Sequence, residues 1–477
     1  MAKAIQLTTA ELKHHPSLCA IDGVLYDLVG FAPNHPGGEH IEGAGAYDAS
    51  ALYASMHPGR QANNSALLQK YRVGTHVRGD GDIIYRYDSV FAKDLLRTVR
   101  STLRNTSWWA PVGFYLRILV IAAATLYSEW NFIVTGTFFW ACLIGVCHAQ
   151  IGLSIQHDAS HGAISKSSAI NDFFAYGADW IGNSKWIWFQ QHILWHHPHT
   201  NHPEYDPDTT SAEPFVKFQP YGEYKWFHKF QYLFLHLVLS LYGPSIVLNG
   251  IVISIMQHNE HVPESVGKTK YMTRQKIIAW GFRIFYLFRI CFLPWYIGSA
   301  HVVVSLVPSY VTGILLTFVF VVSHNFEGSD RDPTGSKLED ANVPAVSEQK
   351  ASKNEEVETV AASRKLGEEE EEEKSVAMND KEIKQVCWYK AQAETSCTYG
   401  GTIGMLLTGG LNLQIEHHLF PRISSWYYPV IQNDVRACCE RHGVQYVYFP
   451  TLGHNIIDML QYIRKVGMTA AMKEHAH

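Results

Sequence analysis

The chain has 477 residues, of which 47% are hydrophobic and only 17% charged, against a globular norm of about 25% charged. That deficit argues against an ordinary soluble enzyme, and 39 Lys+Arg against 44 Asp+Glu, net −5, exclude the basic excess of a nucleic-acid binder. Eight cysteines without a CxxC pair exclude a disulfide framework or zinc ribbon, which leaves 26 histidines as the feature to explain.

In chain order, residues 1–75 read as a small soluble α+β domain, with short apolar runs broken by Pro/Gly turns and no apolar core of a secretory signal at the start. Residues 76–107 read as a charged linker carrying Lys93, Arg97, Arg100 and Arg104. Residues 108–333 form the first part of an all-α membrane domain. Its stretches 111–127 and 132–156 approach the ~20 residues that span hydrocarbon, with Ser128-Glu129-Trp130-Asn131 as the polar turn of a hairpin. The basic cluster before them puts that side in the cytosol. The stretch 231–256 is interrupted at Gly243-Pro244 and Asn249-Gly250, and is predicted to be interfacial or re-entrant. Residues 277–298 and 302–323 form a second hairpin, weakened by Arg283 and Arg289. About four spans then place every histidine-rich segment on the cytosolic face, as a cap. Residues 334–384 hold 14 acidic and 8 basic residues and no aromatic one, a composition too polar to offset its ordering entropy, so a disordered insert is predicted. Residues 385–477 complete the cytosolic part of the membrane domain.

Within the first domain, Asn34-His35-Pro36-Gly37-Gly38 is followed 22 residues on by His57. Two imidazoles on separate loops can hold a low-spin haem from opposite faces, with Leu25, Tyr26, Leu28, Val29, Phe31, Leu52 and Met56 as walls. Taken alone, the pair reads better as two histidines on surface loops. His14, His15, His40 and His76 read as solvated.

Three further clusters lie beside apolar segments: His157/His161, His192/His196/His197 and Gln414-Ile415-Glu416-His417-His418. The i,i+4 pairs 157/161 and 192/196 would share a helix face. Adjacent His196-His197 and His417-His418 would point about 100° apart and reach two metals. Seven histidines, with His324 at the end of the last span, suffice for two ions, but imidazole suits iron, zinc, copper or nickel alike. Asp158 and Glu416 either orient imidazoles or are solvated. His199 and His202 either support the site or lie on the surface, and His228, His236, His258, His261, His301, His442 and His454 read as outside it.

With Val24-Leu25-Tyr26-Asp27 before it, the HPGG motif resembles cytochrome b5 over about residues 8–75. The resemblance implies haem b on His35 and His57. The three histidine boxes resemble the membrane fatty acyl desaturases over roughly residues 108–455. That implies a diiron centre on His157, His161, His192, His196, His197, His324, His417 and His418, with Gln414 as a further candidate ligand or support. Gln414 opening the third box, and the fused haem domain, resemble front-end desaturases, which act between an existing double bond and the carboxyl end. The wording around the boxes, including Asp206-Pro207-Asp208 and Ser323-His324-Asn325-Phe326, is most similar to Δ5 enzymes of C20 chains. Δ6, Δ8 or Δ4 acyl specificity, a sphingoid-base Δ8 activity and a non-catalytic electron carrier are the alternatives. The implied partners are a polyunsaturated acyl-phospholipid or acyl-CoA, membrane lipid and a cytochrome b5 reductase using NADH. The implied location is the endoplasmic reticulum membrane.

Overall fold

The computed structural model describes residues 5–79, 82–248, 263–332, 336 and 386–474. The insert expected over 334–384 lies outside them apart from Ser336, as do His258 and His261.

The N-terminal domain is built on a four-stranded sheet in the order β1 (Ile5–Thr8), β4 (Arg72–Val77), β3 (Val24–Asp27), β2 (Leu18–Ile21). β1 runs parallel to β4 and the other pairs are antiparallel. The β2–β3 hairpin turns on Asp22-Gly23, both with positive φ (50° and 76°), as an Asp-Gly hairpin turn requires. Short helices and loops bearing His35 and His57 close over one face. The core there, including Cys19, Tyr26 and Leu68, is completed by Leu194 from the membrane domain. Leu25 packs in a separate cluster with Leu12 and Leu18, and Val29 is exposed, so neither walls the haem pocket.

The predicted linker is structural. Tyr85–Arg86 pairs with Val386–Cys387 in a two-stranded sheet. The helix Val90–Thr102, capped by Ser89 accepting from Ala92 N at 3.1 Å, buries Phe91, Leu95 and Val99. Those residues share one core with Trp388, Ile415, Leu419 and Ile431. An apolar stripe at helical spacing must find a partner, and the third histidine box provides it.

Four helices among the described residues are long and apolar enough to cross a membrane: Val112–Thr135, Phe138–Ser160, Lys270–Tyr296 and Val302–His324. The first hairpin turns at Gly136, whose left-handed φ of 60° caps the first helix. Ser128-Glu129-Trp130-Asn131 therefore lies inside that helix and is no turn. Glu129 is buried, accepts from His148 (2.8 Å) and Trp180 (3.2 Å), and forms an ion pair with Arg289 (3.1 Å). The charge read as part of a turn is thus neutralised inside the bundle, with Arg289 of the third span as its partner. Arg283 is buried likewise and donates to the Ile246 and Asn183 carbonyls.

Part of the demoted stretch forms a bent helix pair, His228–Ser240 and Tyr242–Leu248, at 51° to each other. The bend brings Gly243 onto the fourth span, where a Cβ would meet Ser309 O at 1.8 Å.

Candidate metal centre and haem pocket

The eight proposed histidines gather at one end of the bundle, where the second and fourth spans finish at Ser160 and His324. All eight are buried. They fall into two groups. In one, His157, His161, His192 and His417 bring a ligand nitrogen each within 4.8 Å of one another. In the other, His196, His324 and His418 do the same. His197 stands between, its ring centre 4.6 Å from that of His417 and 4.3 Å from that of His418. Neighbouring residues serve different groups, as the adjacent pair 417/418 required.

The i,i+4 pair 192/196 shares a face, as its spacing predicts: the rings stack at 5.1 Å, and with Asp208 their ligand atoms lie within 4.8 Å of one another, so the two groups meet at this pair. Phe189–His196 is a π-helical segment, and His197 N bonds to His192 O at 3.0 Å. The wider turn also brings His197 beside His192, Nε2 to Nε2 at 3.1 Å. A second π segment, Ile151–Gln156, immediately precedes His157.

Several rings are oriented from outside through Nδ1, leaving Nε2 facing inward. His196 is held by Asp206 at 3.0 Å, His417 by the Tyr428 hydroxyl at 3.1 Å and His418 by Gln392 Oε1 at 3.0 Å. His324 donates to the Thr395 carbonyl at 2.9 Å. Thr200 lies 3.1 Å from His418 Nδ1 and bonds Gln392 as well. This is the arrangement that fixes a metal-binding tautomer. Inward atoms are left without partners: both nitrogens of His157 and of His161, and Nε2 of His196 and His417. Unpartnered buried nitrogens on neutral rings are costly unless a cation receives their lone pairs. Burial and the neighbouring imidazoles push His161, His192, His197, His417 and His418 well below the usual pKa, so the rings are neutral donors. Burial works against charge on His196 too, but Asp206 and Asp208 outweigh it and raise its pKa to about 9.

Gln414 sits beside the three-histidine group, its Nε2 3.1 Å from His324 Nε2 and 3.4 Å from His418 Nε2, with Oε1 unpartnered. Asp158 and Glu416 are buried, not solvated, and hold backbone and hydroxyl groups. Asp158 accepts from Ser425 N at 2.9 Å, and Glu416 from Tyr446 at 2.6 Å and Thr398 at 3.1 Å. The supports that sequence reasoning missed are Asp206, Gln392, Thr395 and Tyr428. Asp206 did stand in the Asp206-Pro207-Asp208 stretch. His199 and His202 are buried or partly buried outside the two groups, His199 lying 3.4 Å from the Tyr85 hydroxyl.

In the first domain, the His35 and His57 rings face one another at 6.2 Å between centres. That leaves room for one metal, since an imidazole nitrogen lies about 2 Å from a bound first-row ion. His57 Nδ1 donates to Tyr53 O at 3.2 Å and its ring stacks on Tyr53. Burial, Arg422 and His35 together push its pKa down to about 3. A cavity of about 290 Å³ adjoins both rings and is walled by Tyr26, Leu28, Phe31, Leu52 and Met56. Its far side is the membrane domain, from Ala159 to Asp172 and at Arg422. His76 is buried, and His40 is partly exposed but specifically paired. His40 bridges Asp172 (2.7 Å) and Tyr271 (2.9 Å) across the domain boundary, while His76 is buried beside Thr9 at 3.0 Å.

An apolar helical bundle capped by two histidine groups, with a haem-type domain docked against the cap, defines a membrane oxidoreductase that carries its own electron donor. A family model described as "Fatty acid desaturase" matches residues 134–450, and one described as "Cytochrome b5-like Heme/Steroid binding domain" matches residues 6–77. The chain belongs to the fatty acid desaturase family, with a cytochrome b5 domain fused at its N-terminus. It is an oxygen-dependent fatty acyl desaturase whose cofactors are haem and a diiron centre. An acyl-lipid (7-3)-desaturase of Rebecca salina is 28% identical over 464 residues, covering 96% of this chain and 93% of that protein. An acyl-lipid (8-3)-desaturase of Physcomitrium patens is 26% identical, covering 97% and 91%. Delta(5) fatty acid desaturase A of Dictyostelium discoideum is 24% identical, covering 98% and 96%.

Proposed function

We propose that the chain is a front-end desaturase that inserts a cis double bond at Δ5 of a C20 polyunsaturated acyl lipid. The observation that supports an acyl-chain substrate is the meeting of both histidine groups at one cavity, while the Δ5 position rests on the resemblance of the wording around the boxes. That cavity, about 410 Å³, meets His192, His196 and His324 and is walled by Val238, Leu239, Leu241, Tyr242 and Phe320. Those walls suit hydrocarbon, and polar residues including Asn201, Asp208, Glu213 and Gln219 complete the lining. His157, His161, His192 and His417 would hold one iron and His196, His324 and His418 the other, with His197 and Gln414 as further candidate ligands or supports. When bound, the iron pair supplies the oxygen activation needed to take hydrogen from unactivated methylenes, which no side chain can do. The chain's own residues do the rest. Asp206, Gln392, Thr395 and Tyr428 fix the rings, and the bent pair and fourth span align the acyl chain. The docked haem domain feeds electrons, re-reduced by a cytochrome b5 reductase drawing on NADH. The histidine end faces the cytosol of the endoplasmic reticulum membrane, as the basic residues from Lys93 to Arg104 favour.

The names of the relatives support the front-end reading. They also favour a second position, because those named (7-3)-desaturase reach 28% identity and Delta(5) desaturase A reaches 24%. Expression in a host lacking polyunsaturated fats, fed C18 and C20 polyenes singly, separates the two. Gas chromatography–mass spectrometry should locate a new Δ5 bond in a C20 polyene. A new bond elsewhere on the carboxyl side establishes the other position, and no new bond in any polyene refutes both readings.

A further inference from the structure

The cavity beside His35 and His57 is lined by the cations Arg60, Lys166 and Arg422 and by the carboxylates of Asp27 and Asp172, among others. Both carboxylates are engaged elsewhere. Asp27 caps its own helix by accepting from Gly30 N at 2.9 Å, and Asp172 faces His40 at 2.7 Å and also pairs with Lys185. Lys166 lies over the Trp109 ring. Arg422 differs. It is half-buried, and its one hydrogen bond among the described residues runs from Nη1 to the Met56 carbonyl at 3.4 Å. It meets no carboxylate there, and burial and Arg60 both push its pKa down. A guanidinium with most of its five N–H donors unmatched, beside a second cation, is a site for an anion.

Its position says which anion. Arg422 touches the residue before one haem-pocket histidine, Met56 before His57. It also packs on the residue after a metal-group histidine, Gly162 after His161, where a Cβ would lie 3.8 Å from Nε. The group that belongs in this cavity, haem b, carries two propionate carboxylates.

We propose that Arg422, contributed by the desaturase domain and flanked by Arg60, receives a haem propionate and so anchors the haem to the histidine cap. Arg422 is a positioning residue: it ties the haem to the segment that carries His161. The proposal rests on the haem assignment of the N-terminal domain.

The test uses the purified full-length chain, loaded either with haem or with haem dimethyl ester, whose propionates carry no charge. Arg422→Gln should keep the low-spin spectrum. It should release haem to apomyoglobin roughly 10-fold faster, the usual scale for losing a supporting contact at a metal site. Its midpoint potential should fall, because a nearby cation favours the less positive ferrous state. Arg422→Lys should restore the potential by keeping the charge. Wild-type protein should release the ester faster than haem, and Arg422→Gln should release the two alike. The proposal is overturned if the wild type holds haem and ester equally well, or if the effects of variant and ester simply multiply. Should Arg422→Gln fail to accumulate, the wild-type comparison decides alone. Loss of the low-spin spectrum from the wild type would instead strike at the haem assignment itself.

Discussion

Asp206 reaches back to His196 with both carboxylate oxygens, at 3.1 and 3.0 Å, and also accepts from Asn201 N at 2.7 Å. Asn201 holds a left-handed φ of 60° and donates to the His324 carbonyl at 2.9 Å. One short loop therefore orients a ring of the second box and pins the end of the fourth span. A carboxylate on Nδ1 keeps the ring's inward nitrogen a strong donor, whereas an amide in its place would not. We expect Asp206→Asn to lower iron content and turnover about 10- to 100-fold while leaving the haem spectrum unchanged. Metal analysis beside product formation checks this, and full iron with full turnover would remove Asp206 from the site.

Elements show where spacing rules held and where they bent. The 157/161 and 192/196 pairs each met as their spacing predicts, and a π segment that composition does not announce brought His197 to the same place. Glu129 sits in mid-span because His148 and Arg289 come to meet it. At the other contact of the fourth span, Gly313 and Gly243 touch: a Cβ on Gly313 would lie 2.2 Å from Gly243 N, a backbone atom that cannot step aside. Gly313→Val should push the bent pair off the fourth span, at the cost of about 1–3 kcal/mol expected of overpacking. The wall of the acyl cavity belongs to these two elements, so activity should fall more than protein level. Equal thermal stability and turnover in Gly313→Val would show that the contact is slack.

At the scale of the whole molecule, the haem domain is docked and not merely tethered. His40 meets Asp172 and Tyr271, Glu39 pairs with Arg274, and Tyr47 stacks on Trp195 at 5.5 Å. The linker helix joins the same core as the third histidine box. Docking confines the donor to one face of the cap, which goes beyond the raised effective concentration a tether provides. The acidic segment 334–384 contributes no histidine, cysteine or aromatic residue to either site. Its deletion, with a short flexible bridge between the flanks, should leave most of the desaturase activity and the haem spectrum. A well-expressed, haem-loaded deletion with no activity would assign the insert a catalytic role.

Residue chemistry and period determined the outline: a small α+β domain, an apolar bundle of about four spans and histidine clusters at one face, with the haem reading supplied by the resemblance of HPGG to cytochrome b5. The outline depends on local properties, namely hydropathy over ~20 residues and HH pairs that keep their meaning wherever the chain goes. Tertiary structure decided what depends on distant partners. It divided the histidines between two groups, buried His76, paired His40 with Asp172 and Tyr271, and made Glu129 part of a span. It recruited Gln392, Thr395 and Tyr428 as supports. A buried charge or a ring nitrogen is tolerated only when a particular neighbour satisfies it, and that neighbour is chosen by packing between segments hundreds of residues apart.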